Sequence, residues 1–92
     1  MLILLYEKVG ETYLVLTERK TYEGAHSGQI SLPGGKKETS DINFEATALR
    51  ETHEEIGIEK SRIEILNQLT HLYIPVSNFI VFPFVGVLKE AP

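Results

Sequence analysis

The sequence predicts an α/β (α+β) domain, a mixed β-sheet that carries a single helix, on three observations. Apolar and β-branched residues gather in short runs toward both ends of the chain. One stretch, from residue 41 to 56, spaces its apolar residues as a helix does, and glycine or proline marks the changes of pattern. At 92 residues, with 42% hydrophobic and 24% charged side chains, the chain has room for one domain, residues 1–92. Its net charge of −4 argues against a non-specific binder of nucleic acid or membrane surface. An acidic protein that handles an anionic substrate must bring positive charge to it locally. Zero cysteines exclude disulfides and thiolate chemistry, which suits a cytoplasmic address. The opening MLILLY has no basic segment before it and no cleavage site after it, and no stretch is long enough to cross a membrane as a helix.

Taken in order, Leu2 to Tyr6 and Tyr13 to Thr17 are apolar runs separated by EKVGET, with Gly10 as the turn residue, and they read as an antiparallel hairpin. Both runs are nearly continuous, which predicts burial on both faces. From Arg19 to Gly28 the pattern is lost, and the polar KTYEGAHSG reads as a loop, where binding residues tend to sit. Two of its residues are candidates for substrate contact: Arg19, whose fork matches phosphate geometry, and His26. Gln29 to Leu32 reads as a short strand that runs into Pro33-Gly34-Gly35. Adjacent glycines let the backbone come close to a ligand and aim amides at a diphosphate, so Gly34 and Gly35 are substrate-binding candidates as well.

A helix follows, N-capped by Ser40 or Asp41 and running to about Ile56, with Gly57 as its stop. Phe44, Ala48 and Leu49, broadened by Ala46 and Ile56, form its apolar stripe. On another side Glu51, Glu54 and Glu55 stand at i, i+3 and i+4, within about 6 Å of one another. That placement works against the helix. Like charges repel, and the last turn disfavours an anion by roughly 0.3–1 kcal/mol each. Arg50 reaches Glu54 at i+4, but one cation does not neutralise three carboxylates. A hard divalent ion, Mg²⁺ or Mn²⁺, would, since it takes oxygen ligands and is usually shared with substrate phosphates. Glu51, Glu54 and Glu55 are therefore the candidate metal ligands, and Glu51 and Glu54, with Arg50 as their orienting partner, are the candidate catalytic residues.

After Gly57, Ile63 to Tyr73 and Phe79 to Leu88 are β-rich segments joined by IPVSN. Pro83 within the second predicts an edge position or a bulge, and His71 within the first is expected to point to solvent or bond a neighbour rather than ligate. The predicted order is β-β-β-α-β-β.

Read as one string, Gly35, Asp41, Arg50, Glu51, Glu54, Glu55, Gly57 and Ile58 resemble the Nudix box, G-x5-E-x7-R-E-U-x-E-E-x-G-U with U apolar. RETHEEIG matches every fixed position of the second half, with Thr52 at an apolar position. In the first half the usual glutamate is Asp41, and the spacer from it to Arg50 is one residue longer. The coenzyme A pyrophosphatase branch of that family has the same aspartate and spacer. Its upstream signature is similar to LVLTERKTYEGAHSGQISLPGG, which keeps Leu16, Thr17, Arg19, Gly28, Pro33, Gly34 and Gly35 and replaces three positions by Lys20, Gly24 and Leu32.

The resemblance implies a Nudix-type sheet with the box helix. It also implies a truncated fold, because Nudix domains sandwich the sheet between helices and this chain lacks the second helical layer. One sheet face should then be covered by a neighbouring chain, as a homo-oligomer or sheet-face contact. The implied function is Mg-dependent hydrolysis of a nucleoside diphosphate-linked substrate, coenzyme A or a thioester of it giving 3′,5′-ADP and a 4′-phosphopantetheine species. The alternatives are hydrolysis of ADP-ribose or dinucleoside polyphosphates and, from another class, a non-catalytic ligand-binding module. The implied partner is a small-molecule nucleotide, with no nucleic acid and no membrane.

Overall fold

A computed structural model of the chain describes residues 1–18, 30–76 and 78–91. Arg19 and His26, both in the predicted binding loop, lie outside the described residues. The described elements are β1 (Leu2–Lys8), β2 (Glu11–Leu14), β3 (Thr17–Glu18), β4 (Ile30–Ser31), α1 (Phe44–Ile56), a single 3-10 turn (Lys60–Arg62), β5 (Ile63–Gln68), β6 (Leu72–Ile74), β7 (Phe79–Val81) and β8 (Phe84–Leu88). This is a mixed α/β architecture with one α-helix among the described residues, as the sequence predicts, but its strands are more finely divided.

The main sheet has the order β2-β1-β8-β5, in which β1 runs antiparallel to β2 and parallel to β8, while β5 runs antiparallel to β8. The β1–β2 hairpin turns at Val9 and Gly10, whose φ angles of 52° and 77° give the paired left-handed residues that a tight two-residue hairpin needs. Its partners are Leu5 with Leu14 and Lys8 with Glu11. The predicted burial of both hairpin strands on both faces needs correction. Leu2 and Leu4 are fully buried, yet all of β2 is exposed, because β2 is the sheet's edge. Continuous apolar sequence does not distinguish a central strand from an edge one.

Alternate residues of β1 and β8 face α1. Leu2, Leu4, Phe84 and Leu88 form the core with Ala48, Ile58 and Ile63, and Leu49 and Ile56 pack against it. Gly86 is packed closely, since a Cβ there would stand 3.1 Å from Ile63 Cγ2. A bulge falls in β5, where Ile65 pairs with Gly86 and Asn67 with the adjoining Val85.

The two predicted C-terminal segments each split. Ile63 to Tyr73 becomes β5 and β6, and Phe79 to Leu88 becomes β7 and β8, with β6 and β7 pairing as a separate hairpin. Pro83 lies between β7 and β8, so it is neither an edge residue nor a bulge. It is buried, and its carbonyl accepts from Leu69 N at 2.9 Å. A residue without an N–H ends one ladder before the next begins. His71 is exposed, as predicted, with its ring tilted against Phe82 at 5.8 Å.

Candidate active site

The helix cap also differs from the sequence expectation. Asn43, at an extended φ of −161°, caps α1 by accepting from Ala46 N at 2.8 Å, and Gly57 at φ 72° ends it by donating to His53 O at 2.9 Å. Neither Ser40 nor Asp41 caps the helix. The Asp41 carboxylate is committed elsewhere, at the centre of the site.

Arg50 and Asp41 form a two-pronged pair, Nε to Oδ1 at 2.9 Å and Nη2 to Oδ2 at 3.0 Å. Asp41 Oδ2 also accepts from Glu38 N at 2.9 Å and from the Thr47 hydroxyl at 3.0 Å. The rest of the guanidinium is equally engaged. Nη2 donates to Lys36 O at 3.1 Å, Nη1 donates to Glu51 Oε1 and Glu54 Oε2 at 3.0 Å each, and Glu38 Oε1 lies 3.2 Å from Nη1. All of its N–H directions are thereby used. Hydrogen bonds from Arg50, and then from Glu38 N, hold Asp41 well below the usual carboxylate range, and desolvation only partly opposes them. The same bond to Asp41, with that to Glu54, raises the Arg50 guanidinium above its ordinary value.

The glycine turn closes over this network. Leu2 N donates to Pro33 O at 2.8 Å and Gly34 N donates to Glu55 Oε2 at 3.2 Å, so residues 33–35 are pinned between the start of β1 and the last turn of α1. A Cβ on Gly34, at φ 148°, would stand 2.8 Å from Met1 Cα; one on Gly35 would stand 2.6–2.9 Å from the Glu51 carboxylate atoms. At Gly34 the approach is backbone to backbone at a positive φ, which glycine alone permits, whereas at Gly35 a side chain would displace the Glu51 carboxylate. Gly34, Gly35, Glu51, Glu54 and Glu55 consequently line one groove together with Lys37.

The three glutamates thus share a groove, but their oxygens are drawn apart, Glu51 and Glu54 toward Arg50 and Glu55 toward the Gly34 amide. Among the described residues no three acidic or imidazole side chains have the spacing of a metal site. The donor set nevertheless fits a hard divalent cation: Arg50 engages one oxygen each of Glu51 and Glu54, and one guanidinium contacts four carboxylates, leaving the cluster net negative. Glu51, Glu54 and Glu55 are the residues that could hold such an ion.

Sequence reasoning took Asp41 as a cap and missed Glu38, Thr47 and the Lys36 carbonyl. The signal for Asp41 was its place in the G-x5-D spacing. The others act through loop geometry that no spacing encodes. Thr52, the odd residue at an apolar box position, is fully buried and donates to Ala48 O at 2.7 Å. Its hydroxyl is satisfied within the helix.

The NUDIX domain family model matches residues 1–90. The chain is 36% identical over 91 residues to Nudix hydrolase 15, mitochondrial, of Arabidopsis thaliana, covering 98% of this chain and 32% of that protein. It is 34% identical over 90 residues to the peroxisomal coenzyme A diphosphatase NUDT7 of Mus musculus, covering 98% of this chain and 38% of that one. Its fold superposes on the C. elegans Ap4A hydrolase with a TM-score of 0.74 at 20% identity, over 95% of this chain and 64% of that one. The chain spans about a third to two fifths of the length of the curated relatives it matches.

Proposed function

The chain belongs to the NUDIX domain family, and on that premise we propose that it is a Mg²⁺- or Mn²⁺-dependent pyrophosphohydrolase of a nucleoside diphosphate-linked small molecule, with coenzyme A or a coenzyme A thioester as substrate. The observation that carries the reading is the groove in which Gly34 and Gly35 meet Glu51, Glu54 and Glu55. Support for the substrate comes from the retained Leu16, Thr17, Pro33, Gly34 and Gly35 and the long Asp41-to-Arg50 spacer, and from the coenzyme A diphosphatase among the relatives. Arg19, in the same signature, belongs to the proposal as a phosphate contact and His26 as a further substrate contact.

Family members generally use divalent metal ions. Glu51, Glu54 and Glu55 would hold such an ion, which would supply charge against the diphosphate oxygens and lower the pKa of a water. The protein's own residues do the rest. The Gly34–Gly35 backbone and Lys37 bring the diphosphate against the acidic face of α1. Glu51 or Glu54 takes the proton from the attacking water as its oxygen bonds to phosphorus and the bridging P–O bond breaks. Arg50, anchored by Asp41, holds both glutamates in reach of that water. The phosphate half that leaves carries away the bridging oxygen. The net products are 3′,5′-ADP and a 4′-phosphopantetheine species.

Two readings compete. One is hydrolysis of ADP-ribose or a dinucleoside polyphosphate, which the likeness to an Ap4A hydrolase keeps in view. The other is a binding module that performs no chemistry. Glu55→Gln separates the enzyme from the module: Mg²⁺-dependent hydrolysis is lost in the enzyme, and a nucleotide-binding module keeps its affinity. Equal nucleotide binding by both proteins with no turnover in the parent would overturn the enzyme reading.

The proposal includes a cytoplasmic address. It also includes contact of the open sheet face with a neighbouring chain, which exposed Leu14 and Leu66 support. A strictly monomeric sedimentation profile would remove that contact.

A further inference from the structure

α1 buries two threonines, and their hydroxyls are used differently. Thr52, fully buried, donates to Ala48 O, four residues back, at 2.7 Å. Thr47, 3% exposed, stands in reach of two acceptors, Asn43 O at 3.2 Å, also four residues back, and Asp41 Oδ2 at 3.0 Å. A hydroxyl has a single proton to give. The carboxylate is the stronger acceptor, and Asn43 O already accepts from Thr47 N at 3.2 Å, so the proton goes to Asp41.

We propose that Thr47 is a positioning residue: its hydroxyl fixes the Asp41 carboxylate to the helix, and through Asp41 and Arg50 it sets where Glu51 and Glu54 stand and how tightly the acidic cluster takes a divalent ion. The inference rests on the metal-binding reading of that cluster. Arg50 does not set its own place, because a guanidinium on a long stem is located by what it bonds. It bonds Asp41 with two prongs, and Asp41 precedes α1, in the loop. Glu38 N, which also reaches Asp41 Oδ2, at 2.9 Å, belongs to that same loop. Thr47 ties the carboxylate to the helix itself, one turn ahead of Arg50, through a side chain that is stiff about its first torsion. With its partner so registered, Arg50 Nη1 holds Glu51 Oε1 and Glu54 Oε2 at 3.0 Å each.

The test is Mn²⁺ affinity, read from the electron paramagnetic resonance of the free ion, in the parent protein, Thr47→Val, Thr47→Ser and Thr52→Val. Valine keeps the shape of threonine and removes the hydroxyl. Thr47→Val should bind Mn²⁺ about tenfold more weakly, the low end of what is lost with a partner that stands behind a metal ligand. Thr47→Ser should restore the parent's affinity. Thr52→Val should keep it, although that change too deletes a buried hydroxyl from the same helix. Parent-like affinity in Thr47→Val, or equal weakening in Thr52→Val, would overturn the assignment.

A second measurement does not depend on the folding of Thr47→Val. The Thr47 hydroxyl proton, observed by NMR, should shift when Asp41→Asn replaces its charged acceptor by a neutral one; an unmoved signal would put the proton on Asn43 O and end the proposal. Activity separates the inference from the function beneath it. Hydrolysis of coenzyme A by a protein whose Mn²⁺ affinity ignores Thr47 removes the positioning role alone. Affinity that follows Thr47 in a protein that hydrolyses no diphosphate upholds the positioning role and removes the hydrolase reading.

Discussion

On one side of α1, Ala48 and Thr52 are buried toward β1 and the main sheet; on another, Thr47 bonds the Asp41 carboxylate, Glu51 is half-buried and Glu54 and Glu55 stand in solvent. The buried side is held by packing against Leu2, Leu4 and Phe84, a term indifferent to salt and nearly indifferent to pH. The acidic side is held by one arginine shared among Glu38, Asp41, Glu51 and Glu54, a term that depends on protonation. The difference teaches that this helix separates its work. One side sets how stable the domain is, and the other, on the proposed function, carries the chemistry, at some electrostatic cost to the helix itself.

That separation can be broken or sharpened by substitution, and the largest effect should come from the acidic side. Glu54→Gln should lower Mg²⁺-dependent hydrolysis by at least about a hundredfold, the low end of what a positioned carboxylate contributes. Its melting temperature should change little, because Glu54 is exposed. A parallel collapse in stability would show that the two sides are not separate.

Leu4→Ala tests the packed side. Leu4 is fully buried, and its truncation should cost about 2–5 kcal/mol in denaturant-induced unfolding. Activity of the fraction still folded should stay near that of the parent.

Asp41→Asn crosses the boundary between the sides. It should reduce activity about 10- to 100-fold and raise the Mg²⁺ concentration needed for half-maximal rate, as loss of a supporting partner does. Asp41 also makes the pH dependence explicit. Its pKa in the folded protein lies below the ordinary 3.8, so its contribution to stability is complete above that value and is lost as pH falls from there through the lowered one. Acid unfolding of Asp41→Asn should therefore begin from a lower plateau and lose less between pH 4 and more acidic conditions than the parent, a difference that circular dichroism can follow.

The smallest effect should come from Thr52→Val. The hydroxyl bonds only to Ala48 O within the helix, so replacing it with a methyl of similar shape should change stability by less than about 1 kcal/mol.

What the sequence made legible follows the same division between local and distant. The turn at Gly10, the end of α1 at Gly57 and the acids at i, i+3 and i+4 are local, and local spacing predicts them. The splits of the last two segments, one of them at Pro83, the exposure of β2 and the pairing of Asp41 with Arg50 depend on which elements meet. The Asn43 cap was hidden for a related reason. Ser40, Asp41 and Asn43 are equally good cap types, and only Asp41's distant partner takes it out of that role. Glu38 and the Lys36 carbonyl reach Arg50 through the loop after Gly35, which no residue pattern specifies.

The central claim, that the groove between the glycine turn and the acidic side of α1 hydrolyses a diphosphate, is tested most directly by mass analysis of products formed in ¹⁸O-water. The protein would be incubated with Mg²⁺ and, separately, coenzyme A, ADP-ribose and a diadenosine polyphosphate. The account predicts Mg²⁺-dependent cleavage of coenzyme A into 3′,5′-ADP and 4′-phosphopantetheine, with one ¹⁸O on a product phosphate. No Mg²⁺-dependent cleavage of any of the three would contradict it.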